Sequence, residues 1–250
     1  MKAKLPSLLV VLLTFASTAL ADKEAVKVIE AAIKAHGGME VHKKYSSREV
    51  TFEGSLILPT DTLKIRSSAS FALPDKSREM MELIDRKSVV EVIINGDKFK
   101  QILNGKSEEL KDEVLKTEYR QNMAILDVTQ FYTLLDEKVY SIKSAKDELI
   151  AERDTSVVMV TRLGMRDLKM SFDKETNRLV RFGFKTRHPL DPKKEVVQET
   201  YQSDFKEFKG LLLPTTVVVK HDGKDFIKLK VTDVKLTDKP DLKTYKIDDK

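Results

Sequence analysis

The chain divides by the period of its apolar positions. From Asp22 to Ala35 the residues Ala25, Val28, Ile29, Ala32 and Ile33 recur at steps of three and four, which places them on one face of a helix. Gly37 and Gly38 follow at once, and glycine ends a helix because it enters left-handed conformations without a Cβ clash. After Ser47 the period falls to two. Val50, Phe52, Gly54, Leu56 and Leu58 share one face of a strand, and Leu63, Ile65, Ser67, Ala69, Phe71 and Leu73 share a face of the next. The segment LPTD, residues 58–61, joins them as a turn. REMMELID (78–85), SVVEVII (88–94) and KFKQIL (98–103) continue the alternation, the last two linked by Asn95-Gly96. Both residues of that pair tolerate positive φ, a strong hairpin signal.

Between Ser107 and Glu137 the helical period returns, with Leu110, Val114, Leu115, Tyr119, Met123, Leu126 and Phe131 as a stripe that neither Gly nor Pro interrupts. This predicts one long helix or two shorter ones, buried against one face of the sheet. Strands resume at KVYSIK (138–143), SVVMVTRL (156–163), DLKMSFD (167–173) and RLVRFGFKT (178–186), each with one dry and one wet face. Near the end of the chain Asp222-Gly223 closes a hairpin, and Pro214 is expected at a strand start, where a missing backbone donor costs least. The expected fold is mostly β with α: about ten or eleven strands in a strongly curved antiparallel sheet, an incomplete β-barrel covered by helices, because so wide a sheet must curl or close.

The N-terminus changes where this fold begins. Lys2 and Lys4 precede the apolar run LLVVLLTFA (8–16), and Ala19-Leu20-Ala21 offers small residues to a signal peptidase. Residues 1–21 are therefore expected to be a cleaved secretory signal, with 22–250 as one domain. The run is too short to cross roughly 30 Å of hydrocarbon. Cysteine is absent, so the core must hold without disulfides, and neither thiol chemistry nor a lipid-anchoring cysteine is available. The expected location is the periplasm, with secretion as the other outcome for a chain that carries no lipid anchor. The signal holds two lysines and no acid, so the formal charge falls from +5 to +3 on cleavage. That excess is dispersed, unlike the basic stripe of a nucleic-acid binder.

Candidate chemistry is sparse. KAHGGMEVHK (34–43) sets His36 and His42 on either side of the Gly-Gly pair, but two histidines do not make a zinc site without further ligands. His188 and His221 lie far off in sequence, so the stretch reads as a helix stop and no metal is expected. No G-x-S-x-G, phosphate loop or zincin spacing occurs. The acidic residues alternate with lysines on strand faces expected to be wet. No catalytic residues and no cofactor are expected, and the chain is read as not an enzyme.

Three stretches resemble a known family. VIEAAIKAHGGMEVHKKYSSREVTFEG (28–54) looks like its opening helix, Gly-Gly break and first strand. FALPDKSREMMEL (71–83) with VVEVIINGDKFKQI (89–102) looks like its proline-led strand and following hairpin, and FKGLLLPTTVVVKHDGKDFIKLKVTDVKL (208–236) resembles a late hairpin. Together they resemble the outer-membrane lipoprotein-sorting carriers, the LolA-like superfamily with its LolB-like and LppX-like relatives, among them an envelope-stress sensor. The resemblance implies a curved antiparallel half-barrel whose apolar concave face, covered by helices, admits lipid or lipoprotein acyl chains. It also implies an envelope protein as donor or acceptor; a monomer without a transmembrane span is expected. In the carriers an arginine before the strand-leading proline helps hold the lid shut, whereas Leu73 stands at that position here. Arg78 is either a surface residue or an entrance contact.

On this reading the candidate lining residues are Phe52, Leu56, Phe71, Met81, Met170, Phe172, Phe182 and Phe184 from the sheet, with Tyr119, Met123 and Phe131 from the helix. Methionine and phenylalanine suit a site for flexible chains. The same residues would equally build an ordinary closed core, and periodicity does not separate the two. The other functional class open to this chain is an envelope sensor or scaffold that binds a protein partner.

Overall fold

A computed structural model describes residues 22–189 and 191–247, apart from the side chains of Glu109 and Pro192. The expected signal segment lies outside these residues. The chain opens with helix α1 (Lys23–Ala35) and the short α2 (Met39–Lys44). Asp22 caps α1, its carboxylate accepting from the Glu24 N–H at 2.9 Å and from the Ser144 N–H at 2.9 Å. The N-terminal helix is thereby tied to a strand 122 residues away.

Six strands follow: β1 (Ser47–Ile57), β2 (Thr62–Ala72), β3 (Lys76–Leu83), β4 (Ser88–Asn95), β5 (Lys98–Leu103) and β6 (Lys106–Glu109). After helix α3 (Glu113–Val128) come β7 (Ser141–Ile150), β8 (Arg153–Thr161), β9 (Leu168–Asp173), β10 (Leu179–His188), β11 (Asp191–Phe208), β12 (Leu211–His221) and β13 (Lys224–Thr237). All thirteen form one antiparallel sheet in the order β6-β5-β4-β3-β2-β1-β13-β12-β11-β10-β9-β8-β7, more than the ten or eleven expected. The two meanders β1–β6 and β7–β13 are joined where the first strand pairs with the last.

This order dictates the shape. β6 and β7 are consecutive in sequence yet occupy opposite edges of the sheet, and the segment between them carries α3. A 16-residue helix is about 24 Å long, much less than the width of thirteen flat strands at about 4.8 Å spacing. Helix α3 packs on β4 and β5 while its Glu118 and Gln121 bond the β8–β9 loop, so the two halves of the sheet curl toward each other across it. At the central seam Gly54 lets β13 approach β1 closely: a Cβ there would lie 1.8 Å from the Lys228 carbonyl oxygen.

Three differences from the expected elements have local causes. The helix expected from Ser107 to Glu137 is shorter at both ends. Asn104 and Gly105, with φ of 50° and 80°, turn the chain into β6, which pairs with β5. Asp112 then caps α3 through the Val114 and Leu115 N–H groups. At the other end Phe131 adopts φ 58°, and residues Tyr132–Leu135 form a separate 3-10 turn. Pro214 lies inside β12, opposite Phe205, beside an irregularity at Asp204 where φ is 53°.

Candidate functional site

The inner face of the sheet can be followed by cross-strand pairing, because directly opposed residues point the same way. On the β1–β5 side it carries Val50 and Phe52 of β1, Ser67 and Ala69 of β2, Glu79 and Met81 of β3, and Val90 and Val92 of β4. Across the seam it continues through Leu229 and Val217 to Phe182 and Met170.

The two halves of this face are filled differently. Over β7–β10 the space is closed by α1, the C-terminal end of α3 and the 3-10 turn. Ile29, Val128, Phe131, Leu134, Leu168, Met170, Phe172, Phe182 and Phe184 pack there at 0–8% exposure. Over β4 and β5, α3 forms a second, smaller cluster in which Met123, Tyr119, Leu115 and Leu126 meet Val92, Ile94 and Phe99. A third cluster at the far end of the sheet joins Leu56, Leu63, Ile65 and Phe226 with Met81, Leu83 and Leu229. Between these last two, Val50, Phe52, Ser67, Ala69, Glu79 and Met81 are only partly buried. Small inward side chains at Ser67 and Ala69 leave that region without the bulk that fills the other half. A hollow of about 620 Å³ also runs along β1, β12 and β13, bordered by residues of both strand phases, among them Glu53, Val217, Lys228, Leu229 and Lys230.

Buried polar groups fix the closed half. His36 is 3% exposed. Its Nδ1 lies 2.9 Å from the Leu212 carbonyl oxygen, and its Nε2 lies 3.2 Å from the Leu179 amide nitrogen. A carbonyl can only accept and an amide only donates, so the ring is neutral with its proton on Nδ1. Burial holds its pKa at about 4, with the charges of Arg178 and Arg48 acting the same way. Both ring nitrogens are thus engaged with backbone, and the histidine links α1 to β10 and β12. The neighbouring Gly37, at φ 116°, sits where a Cβ would meet the Gly210 carbonyl oxygen at 2.1 Å. Arg48 is buried without an acid. It donates to the Tyr45 carbonyl at 3.2 Å and to the Gln130 side-chain oxygen, and its guanidinium lies 5.8 Å from the Phe71 ring. Burial lowers its pKa to about 10. Thus the C-terminal end of α3 is pinned to β1, while its middle is pinned to the β8–β9 loop. There Arg166 forms a two-pronged pair with Glu118 at 2.6 and 2.5 Å, and the Arg166 N–H donates to Gln121.

Among the described acids of the sheet, Glu79 is the one that burial pushes above its ordinary pKa. It lies deep enough for desolvation to raise its pKa, yet it keeps intermediate accessibility. Glu79 is thus enclosed by protein yet still reached by solvent. Its flanking inward residues are Ala69 and Val92 on the adjacent strands. Tyr119 of α3 is held above its ordinary pKa by burial first and by the Glu79 charge second, so the two groups lie within electrostatic reach of each other.

The architecture matches solved structures. A LolA superfamily protein from Nitrosomonas europaea aligns with a TM-score of 0.61 over 89% of this chain and 97% of that one, at 14% identity. The chain has a LolA-like fold. Its other structural neighbours include a DUF1329 family protein from Desulfovibrio piger, with a TM-score of 0.55 at 11% identity over 89% of this chain and 97% of the other. A Vibrio parahaemolyticus domain described as outer-membrane lipoprotein-sorting gives 0.52 at 12% identity over 85% and 93%. No family model and no curated protein matches the sequence, so the likeness is one of fold.

Within this LolA-like fold the sequence candidates fall into separate places. Phe131, Met170, Phe172, Phe182 and Phe184 lie together in the closed cluster under α1. Tyr119 and Met123 lie on the side of α3 that packs on β4 and β5, and Leu56 and Met81 at the far end of the sheet. Phe52 is half-buried between the last two clusters, and Phe71 is buried against Arg48. Arg78 points to the outer face, is exposed and pairs with Glu91 at 2.6 Å, which settles it as a surface residue. Leu73 packs against the cluster under α3. His188 and His221, remote in sequence, meet edge to face at 5.3 Å, and His221 stacks on Phe226 at 4.1 Å. The residues that sequence reasoning passed over are Arg48, Gln130 and Glu79. For two of them a signal existed: Arg48 shares the alternation of Val50 and Phe52, and Glu79 that of Ser77 and Met81, so both charges stand in inward phase.

Proposed function

We propose that this protein is a non-enzymatic binding or carrier protein that holds a lipid, or the acyl chains of a lipoprotein, in the concavity of its half-barrel. The supporting observation is the unequal filling of the inner face. One half is packed to near-complete burial, while the other keeps a partly accessible apolar surface around Phe52, Met81 and Tyr119. Burying an aliphatic chain against such a surface is favourable by about 0.8 kcal/mol per CH₂. The LolA-like fold and the N-terminal LLVVLLTFA run agree with an exported, periplasmic protein. No helix among the described residues is long and apolar enough to cross a membrane.

The test is to produce the protein with its own N-terminal segment, purify it without detergent and compare native with denaturing mass spectrometry. Extra mass that leaves on denaturation, and that is reduced in a folded Phe52→Asp variant, supports the reading and identifies the ligand. A protein without added mass that also fails to take up a neutral apolar fluorophore overturns it. That outcome would favour a sensor or scaffold that binds a protein partner.

A further inference from the structure

Glu79 poses a problem that the rest of the fold does not solve. It stands in inward phase on β3, flanked by Ala69, Val92 and Met81, with Val50 one strand further. No hydrogen bond or ion pair reaches it among the described residues, and its charge is felt by the Tyr119 phenol. The other acids near the inner surface are engaged. Glu118 is held by Arg166 and Thr186, and Asp127 accepts from the Tyr140 hydroxyl at 2.6 Å. The buried cation on this face, Arg48, is committed to Tyr45, Gln130 and the Phe71 ring.

We propose that Glu79 is the polar anchor of the concave site, and that it selects aliphatic ligands bearing a primary ammonium over those bearing a carboxylate. The proposal rests on the binding function above and names its ligand class. A carboxyl that solvent still reaches, flanked by apolar side chains and given no cation by the described residues, is completed by a compact positive charge from the ligand. The aliphatic body then lies along Phe52, Met81 and Leu229, and the Tyr119 phenolic oxygen offers the ammonium a further acceptor. An anionic head at the same position finds no cation to pair with and repels the carboxylate wherever Glu79 is ionised. Desolvation already raises the Glu79 pKa, and an ammonium at this position would relieve that penalty. A merely structural acid would gain nothing from it.

The experiment uses three amphiphiles of equal chain length, dodecylamine, dodecanol and dodecanoate, below their micellar concentrations at neutral pH. Each displaces N-phenyl-1-naphthylamine, a neutral fluorophore, from the whole protein. Dodecylamine is expected to displace at a concentration lower than dodecanoate by about tenfold or more. In Glu79→Gln, which keeps the side-chain shape, the two should converge. Glu82→Gln on the outer face of the same strand should leave the preference intact, which separates a local anchor from general surface charge. Equal potency of amine and carboxylate in the native protein, or a preference that survives Glu79→Gln, overturns the anchor while displacement by dodecanol still upholds apolar binding. If neither the fluorophore nor any of the three binds, the binding function itself falls, and the anchor with it.

Discussion

Single residues at the α1–α2 junction carry more than the helix stop that their sequence suggested. Gly37 combines a positive φ with contact against the Gly210 carbonyl, so Gly37→Ala introduces both strain and overlap. The backbone strain alone costs about 1–3 kcal/mol, and urea unfolding should show a midpoint lowered accordingly. His36 makes stability depend on pH. Its pKa is about 4 in the folded protein and near 6.5 when unfolded, so the unfolded state binds more protons between these values. The stabilisation is complete above about pH 6.5 and is lost as pH falls toward 4, a loss on the order of 3 kcal/mol. Thermal melts from pH 7 to 5 should show this decline, and His36→Gln should reduce it, the remainder coming from His42 and His221, which burial also holds at about 4. Glu79, raised by burial, acts with the opposite sign, since its folded form holds the proton more tightly. Glu79→Gln should therefore steepen the acid decline.

At the scale of elements, α3 is the piece whose attachments are polar. Its side toward β4 and β5 packs through a small cluster, but Arg166 and Glu118 clamp its middle and Arg48 and Gln130 hold its end. The Arg166–Glu118 pair is partly exposed, which limits its contribution to about 1 kcal/mol. Arg166→Met should thus raise amide exchange across residues 113–128 by about fivefold, leaving β8–β10 protected. An equal rise in both regions would mean that α3 has no opening of its own. The helix itself was legible from Leu115, Tyr119 and Met123, yet its boundaries were not. Asn104-Gly105 is as good a hairpin signal as Asn95-Gly96, but the four-residue strand that follows it, Lys106–Glu109, is polar and shows no alternation. Strand pairing with β5 decides that segment, and pairing is not a local property.

Over the whole molecule, the division of the inner face predicts two classes of apolar substitution. Phe172→Ala, in the closed half at 1% exposure, should cost about 3–5 kcal/mol. Phe52→Ala should cost no more than about 1 kcal/mol, while weakening displacement of the neutral fluorophore. Denaturant melts and fluorophore titrations on the same two proteins separate a packing residue from a lining one. If Phe52→Ala destabilised as much as Phe172→Ala, the accessible half would be a core and the binding surface would lie elsewhere.

What the sequence determined by itself is the set of local alternatives. The spacing of Ala25, Ile29 and Ala32 specifies α1, and the two-residue alternation from Val50 onward specifies the strands and their inward faces. The Asn-Gly and Asp-Gly pairs specify hairpins, because these are consequences of backbone sterics and solvent within a few residues. Only the tertiary structure decided which inward positions face neighbours and which face space. Met170 and Met81 have the same chemistry and the same phase, but α1 and the end of α3 cover the first, while small side chains at Ser67 and Ala69 leave room beside the second. The same holds for charge. Arg48 and Glu79 both break an apolar phase, yet folding gives the arginine its acceptors and leaves the acid partly accessible without a partner among the described residues. That difference depends on partners up to 82 residues away, beyond the reach of any local pattern.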